Sequence, residues 1–94
     1  MCGILFCNWK NKFPLNKKIL TQSLNFLNNR GPDNSKLIFF KNWSIGHTRL
    51  SIIDPNSKKS NQPFTDNEER YFLTYNGEIY NYKELRKNLI LRGH

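Results

Sequence analysis

The chain carries two cysteines and two histidines in 94 residues. Two cysteines cannot build the disulfide framework of a small secreted fold. Cys2 and Cys7 stand five positions apart, so on a strand they face opposite sides and no bridge between them is expected. With only His47 and His94 to add, no metal-ligand spacing emerges and no metal is expected. No apolar run approaches the length of a membrane span. The start lacks a basic region, an apolar stretch and a cleavage site, so no signal peptide is expected. A reducing cytoplasm then suits a free thiol. Acidic residues are also scarce, 7 against 15 basic ones, which gives a net charge of +8 and a pI near 9.8. The lysines are scattered and form no stripe on one predicted element. A solvated basic surface is therefore expected, with no nucleic acid as partner. Internal repeats and low-complexity linkers are absent.

What is present suits one small domain with a modest core. Apolar residues make up 37% and aromatics 14%, too many for a disordered chain of this charge. Gly3 to Asn8 is a short apolar run and reads as a buried strand, with Cys7 as core filler. Asn11 to Pro14 reads as a turn. Leu15 to Asn28 reads as a helix capped near Asn16, with Ile19, Leu20, Ser23, Leu24, Phe26 and Leu27 clustered to one side. Arg30 to Asn34 is a loop marked by Gly-Pro-Asp. Leu37 to Phe40 and Ser44 to Leu50 read as a hairpin turning at Lys41-Asn42. Asp54 to Asn61 is a polar loop, Arg70 to Tyr75 a strand, and Asn76-Gly77 a turn pair. Tyr82 to Leu91 reads as a second helix, with Leu85, Leu89 and Ile90 apolar and Glu84, Arg86 and Lys87 exposed. Strands and helices in this order suit an α+β layered fold.

Cys2 has special chemistry because of where it stands. The chain opens Met1-Cys2-Gly3-Ile4. Removal of the methionine would leave Cys2 with a thiol and a free α-amine two bonds apart. An α-amine titrates near pH 8 and accepts a proton at neutral pH. One residue then supplies both the nucleophile and its base. On position alone, a buried cysteine that merely follows Met1 is the simpler reading.

Four further blocks change that balance. They are Arg30-Gly31-Pro32-Asp33, then Gly46-His47-Thr48-Arg49-Leu50-Ser51-Ile52-Ile53-Asp54, then Gln62-Pro63-Phe64, then Tyr75-Asn76-Gly77-Glu78-Ile79-Tyr80-Asn81-Tyr82-Lys83-Glu84-Leu85-Arg86. Behind Cys2-Gly3-Ile4, and in this order, they resemble the glutamine amidotransferase domain of glutamine-hydrolysing asparagine synthetases. That is a class II amidotransferase domain with the N-terminal-nucleophile fold, a layered αββα sandwich. Pro32 and Leu50 stand where the sugar-phosphate branch of class II typically has Tyr and Trp, which favours the asparagine synthetase branch.

The resemblance implies roles residue by residue. Cys2 is the nucleophile. Asn76 supplies a side-chain donor and Gly77 a backbone donor to an oxyanion hole, although Asn-Gly alone would equally signal a hairpin turn. Arg49 takes the glutamine α-carboxylate through its guanidinium fork. The backbone of Leu50, Ser51, Ile52 and Ile53 lines the same pocket, and Glu78 assists with the substrate amine. Asp33 and Asp54 read as loop-fixing residues. Three positions depart from the family pattern: Phe6 and Lys36 stand where glycine is usual, and Asn29 where histidine is.

The match covers roughly the first half of such a domain. The family's main amine-binding Asp, further strands and the ATP-using synthetase domain would follow His94. The implied parent hydrolyses glutamine to glutamate and ammonia and passes the ammonia to ATP-dependent amidation of aspartate. ATP and Mg2+ are then expected in the synthetase part and no cofactor in the glutaminase part. The expected partners are glutamine, that synthetase domain in cis or trans, and a homodimer as one source of a missing layer. A relative acting on another acceptor, such as a cell-surface glycan precursor, would share this front half. A non-catalytic fragment is the third reading. Gly3 to Cys7 and Leu37 to Phe40 are apolar on both faces and expect cover on two sides. The chain alone is thus expected to fold marginally or associate, with glutaminase activity far below that of a full domain.

Overall fold

A computed structural model describes residues 1–10 and 15–94. The turn expected over Asn11 to Pro14 lies outside the described residues. The elements run β1 (Gly3–Asn8), α1 (Lys17–Asn25), β2 (Asn34–Phe39), β3 (Trp43–Arg49), β4 (Phe64–Thr65), β5 (Phe72–Leu73) and α2 (Tyr82–Leu91). The architecture is thus mixed α and β, with antiparallel sheets.

The largest sheet has the order β1-β3-β2, with both pairs antiparallel. β3 is central because it pairs on both sides, and it is buried from Ser44 through Arg49. Ser44, Gly46 and Thr48 face one side of the sheet, and Trp43, Ile45, His47 and Arg49 face the other, as the pleat requires. Helix α1 covers the first side with Leu20 and Leu24, 1% and 2% exposed. Burial of a leucine of this kind contributes about 1.5–3 kcal/mol. Gly46 makes the close approach possible: a Cβ there would sit 3.0 Å from Leu24 Cδ1 and 3.1 Å from Leu37 Cδ1.

The other side of the sheet is only partly covered. Phe40 stacks on Trp43 with ring centroids 4.0 Å apart, and Phe72 meets both edge-on at 5.0 and 5.3 Å. That cluster docks the β4–β5 ribbon. Ile4 and Phe6 on the same side remain 41% and 61% exposed. Phe6 meets Trp43 at 6.2 Å and otherwise lies open. Among the described residues, β1 and β2 each pair only with β3, so both sheet edges are unpaired.

Several expectations need correction. α1 is shorter than Leu15 to Asn28. Asn16 is its cap, accepting from the Ile19 N–H at 2.9 Å, so the helix proper starts at Lys17. After Asn25 the chain tightens into turns with i→i−3 bonds. The Leu27 carbonyl accepts from the Thr48 hydroxyl at 3.1 Å and from the Arg30 N–H at 2.9 Å, a turn bond in place of a helical one. Ile19 and Phe26 are exposed, so the apolar side of α1 narrows to Leu20 and Leu24 with Ser23 and Leu27 half-buried. β2 begins at Asn34, inside the expected loop, because Asn34 is in register with Arg49. The Asp54 to Asn61 loop contains a 3-10 turn at Lys58–Ser60. The expected strand over Arg70 to Tyr75 shrinks to Phe72–Leu73. Cys7 is half-buried and not a core residue. α2 has the expected bounds, but Leu85, Leu89 and Ile90 are all exposed, and among the described residues the helix packs against no other helix or strand.

Candidate functional site

Three separate segments meet at one end of the central sheet. Continuing the β1–β3 register beyond Gly3↔Thr48 sets Cys2 across from Arg49. The Cys2 sulfur accepts from the Leu50 N–H at 3.4 Å, and its own hydrogen faces the Leu50 carbonyl at 3.9 Å. The thiol thus sits against the chain as it leaves β3. The third segment is Tyr75 to Ile79, between β5 and α2. A cavity of about 530 Å³ lies between them, in the range of small-molecule sites. Cys2, Arg49, Leu50, Ile52, Ile53, Gly77 and Glu78 line it. Of the residues expected there, Ser51 and Asn76 fall outside that lining, and Asn76 is exposed beside it.

The Arg-Gly-Pro-Asp block holds these segments in place. Arg30 Nε donates to the Cys2 carbonyl at 3.2 Å. The Asp33 N–H donates to the Arg49 carbonyl at 3.0 Å, and its carboxylate accepts from the Ser51 N–H at 2.6 Å. Asp33 therefore clamps both sides of the β3 exit, in line with a loop-fixing role. Gly31 lets the block lie on the strand, because a Cβ there would run into the Thr48 carbonyl. Asp54 does similar local work: it sits at φ 53° and its carboxylate accepts from the Ser60 hydroxyl at 3.4 Å.

Arg49 is 7% exposed and richly bonded. One Nη donates to the Ser57 carbonyl and to Asn61 Oδ1, each at 3.0 Å. The other donates to the carbonyls of Ile53 at 3.1 Å and Asp54 at 2.9 Å. The guanidinium therefore organises the whole 53–61 loop that forms one wall of the cavity. Its Nε edge makes none of these four bonds.

Neither Asn76 nor Gly77 has a positive φ. A type I′ hairpin turn needs φ > 0 at both central residues, so this Asn-Gly pair is not one. It leads instead from β5 into α2. Tyr75 leans over Gly77: a Cβ at Gly77 would meet the Tyr75 Oη at 2.5 Å and Cζ at 2.6 Å.

Sequence reasoning gave no site role to several residues here. Tyr82 and Arg86 line the cavity from α2, where i,i+4 spacing puts both on one face. Gln62, Phe64 and Tyr75 also line it, the first two from the Gln62-Pro63-Phe64 block. Cationic Arg49 and Arg86 share the cavity with acidic Asp54 and Glu78. Among the described residues, no group of three or more His, Cys, Asp and Glu could hold a metal ion. No helix among them is long and apolar enough to cross a membrane.

His47 lies beneath the site, fully buried. Neither ring nitrogen has a well-formed hydrogen bond. Burial pushes its pKa below the ordinary 6.5; the nearby Tyr75 backbone opposes this and the Arg49 charge adds to it. The folded state thus disfavours the proton, and the unfolded state binds it more readily. His47 contributes stability that is complete above 6.5 and lost as pH falls below that value. Asp66 is held low chiefly by the Tyr71 N–H, so its loss comes only around and below its ordinary 3.8. Urea unfolding should show stability falling on acidification from about pH 6.5. A His47→Asn variant should flatten that slope; an unchanged slope would remove His47 as its cause.

Residues 1–94 match the family model described as glutamine amidotransferase domain. The chain is 34% identical over 95 residues to glutamine-hydrolyzing asparagine synthetase 3 of Bacillus subtilis (strain 168), covering 100% of this chain and 16% of that protein. Synthetase 1 of the same organism is 36% identical over 99 residues, covering 100% and 15%. Glutamine-hydrolyzing asparagine synthetase 1 of Lotus japonicus is 40% identical over 90 residues, covering 95% and 15%. The chain therefore spans about one-sixth of the length of these relatives. No solved structure matches it.

Proposed function

The chain belongs to the glutamine amidotransferase family, and from that premise we propose that it forms the front half of a glutaminase site with Cys2 as nucleophile. The observation that carries this reading is the shared cavity. Cys2, the Arg49–Ile53 exit of β3 and the Gly77-Glu78 run reach it from three separate stretches of chain. A cavity with guanidinium and carboxylate walls suits a zwitterionic amino acid.

The chemistry follows from these groups. With Met1 removed, the α-amine of Cys2 takes the thiol proton as sulfur attacks the side-chain amide carbon of glutamine. The resulting oxyanion is held by the Asn76 side chain and the Gly77 N–H. Collapse breaks the C–N bond, the amine returns its proton to the leaving nitrogen, and ammonia departs. Water then attacks the glutamyl thioester and releases glutamate and the thiol. Arg49 holds the substrate α-carboxylate, Leu50, Ile52 and Ile53 line the pocket, Ser51 is held beside it by Asp33, and Glu78 faces the α-amine.

In the parent protein the ammonia serves ATP-dependent conversion of aspartate to asparagine, with ATP and Mg2+ used by the synthetase part. The setting is cytoplasmic, where thiols stay reduced. The full domain takes the N-terminal-nucleophile sandwich. A second sheet layer then covers Ile4 and Phe6, supplied by further chain or by a second copy in a homodimer.

Asn76→Ala tests the oxyanion assignment. It should lower kcat for glutamine hydrolysis by about 10²–10³-fold and leave KM nearly unchanged, because the contact strengthens in the transition state. Glutamate release assayed against glutamine concentration gives both constants. A raised KM with unchanged kcat would assign Asn76 to substrate binding instead.

A further inference from the structure

The Gln62 side chain faces the backbone of Tyr75 and forms two hydrogen bonds with it. Its Oε1 accepts from the Tyr75 N–H at 2.6 Å, and its Nε2 donates to the Tyr75 carbonyl at 3.2 Å. The amide thus imitates one residue of a neighbouring strand. The imitation falls where a real partner is missing. β4 and β5 pair only through Phe64↔Leu73 and Thr65↔Phe72, so the chain after Leu73 has left its ladder. Tyr75 directly precedes Asn76 and Gly77, and its ring lies over Gly77. Gln62 itself lines the cavity, and the residue after it, Pro63, is buried.

We infer that Gln62 is a positioning residue, which sets the Asn76 and Gly77 donors through its paired bonds to Tyr75. This rests on the glutaminase reading above and adds a residue to it. Only a primary amide offers a donor and an acceptor side by side on a stem of this length. A carboxylate would leave the Tyr75 carbonyl without its donor. Buried His47 approaches the Tyr75 backbone from below, but it makes no well-formed bond. The Gln62 pair is therefore the firm tether of this run.

The test uses the full protein that carries this chain and two variants. Gln62→Ala removes the side chain. Gln62→Met keeps its length and packing and removes both bonds. Both should lower kcat for glutamine hydrolysis by about 10–100-fold, as misplacing a reacting group does, with KM changed less than about threefold. Iodoacetamide labelling of Cys2, followed by peptide mapping, should proceed at the wild-type rate, because the thiol is untouched. Wild-type kcat in Gln62→Met would overturn the inference. So would a raised KM with kcat intact, which would make Gln62 a substrate contact. Loss of folded protein in both variants, read by circular dichroism, would make it a folding residue and overturn the inference too. A wild-type protein that releases no glutamate would instead bring down the underlying reading.

Discussion

Cys2→Ala should remove glutamine hydrolysis, by about 10⁴-fold or more, and leave ammonia-dependent synthesis by the full protein intact. Only the amide-splitting step needs the sulfur. The substitution deletes one atom from a half-buried side chain whose contacts are with the Leu50 backbone. The fold should tolerate it, so the loss will be chemical. Cys7→Ala is the matched control. Cys7 pairs with Ser44 on the α1 side of the sheet, away from the cavity, and the variant should hydrolyse glutamine normally. Retention of Met1 should block activity as well, since an acylated nitrogen is no longer a base. Mass spectrometry of active protein should find Cys2 first. Glutamate release persisting in Cys2→Ala would end the assignment.

The local pieces of this fold were legible in the sequence. β1 and α2 begin and end at the expected residues, because an apolar run of strand length and a periodic helix carry their own signals. Asn16 reads as a cap because its side-chain oxygen can reach the third helical N–H. What sequence could not supply was the set of contacts made across the chain. The turn that follows α1 is pinned to the sheet by Thr48, which is 21 positions away from Leu27. The start of β2 is set by pairing with Arg49. The exposure of Leu85, Leu89 and Ile90 has no local signal either, since an amphipathic pattern says that a face wants cover and not what covers it. The same division holds for the site. Cys2, Arg49, Gly77 and Glu78, which share the cavity, could be picked out from a resemblance, whereas Asn76 stands outside its lining. The tether between Gln62 and Tyr75, 13 positions apart, is visible only once the chain is folded.

Arg49→Ala should have a double effect. On substrate, losing a charge-assisted pair worth about 1.5–3 kcal/mol predicts a KM for glutamine raised about 10- to 150-fold, with kcat less affected. On structure, the variant leaves the carbonyls of Ile53, Asp54 and Ser57 and the Asn61 side chain without their shared donor. Those acceptors belong to exposed and half-buried residues, so water can replace part of the loss. The loop should then loosen and the domain should not unfold outright. Hydrogen exchange and limited proteolysis should report that loosening, confined to residues 53–61. Arg49→Lys separates the two effects. An ammonium keeps the charge, so KM should recover in part. A single nitrogen with three donors cannot reproduce a planar fork that serves four acceptors, so the loop should stay loose. The geometry makes this separation meaningful: both Nη groups are committed to the loop, and the carboxylate must be met from the Nε edge or by displacing a loop carbonyl. If Arg49→Ala loosens the loop but leaves KM alone, the guanidinium is a loop brace only, and Arg86, the other guanidinium lining the cavity, becomes the group to vary next.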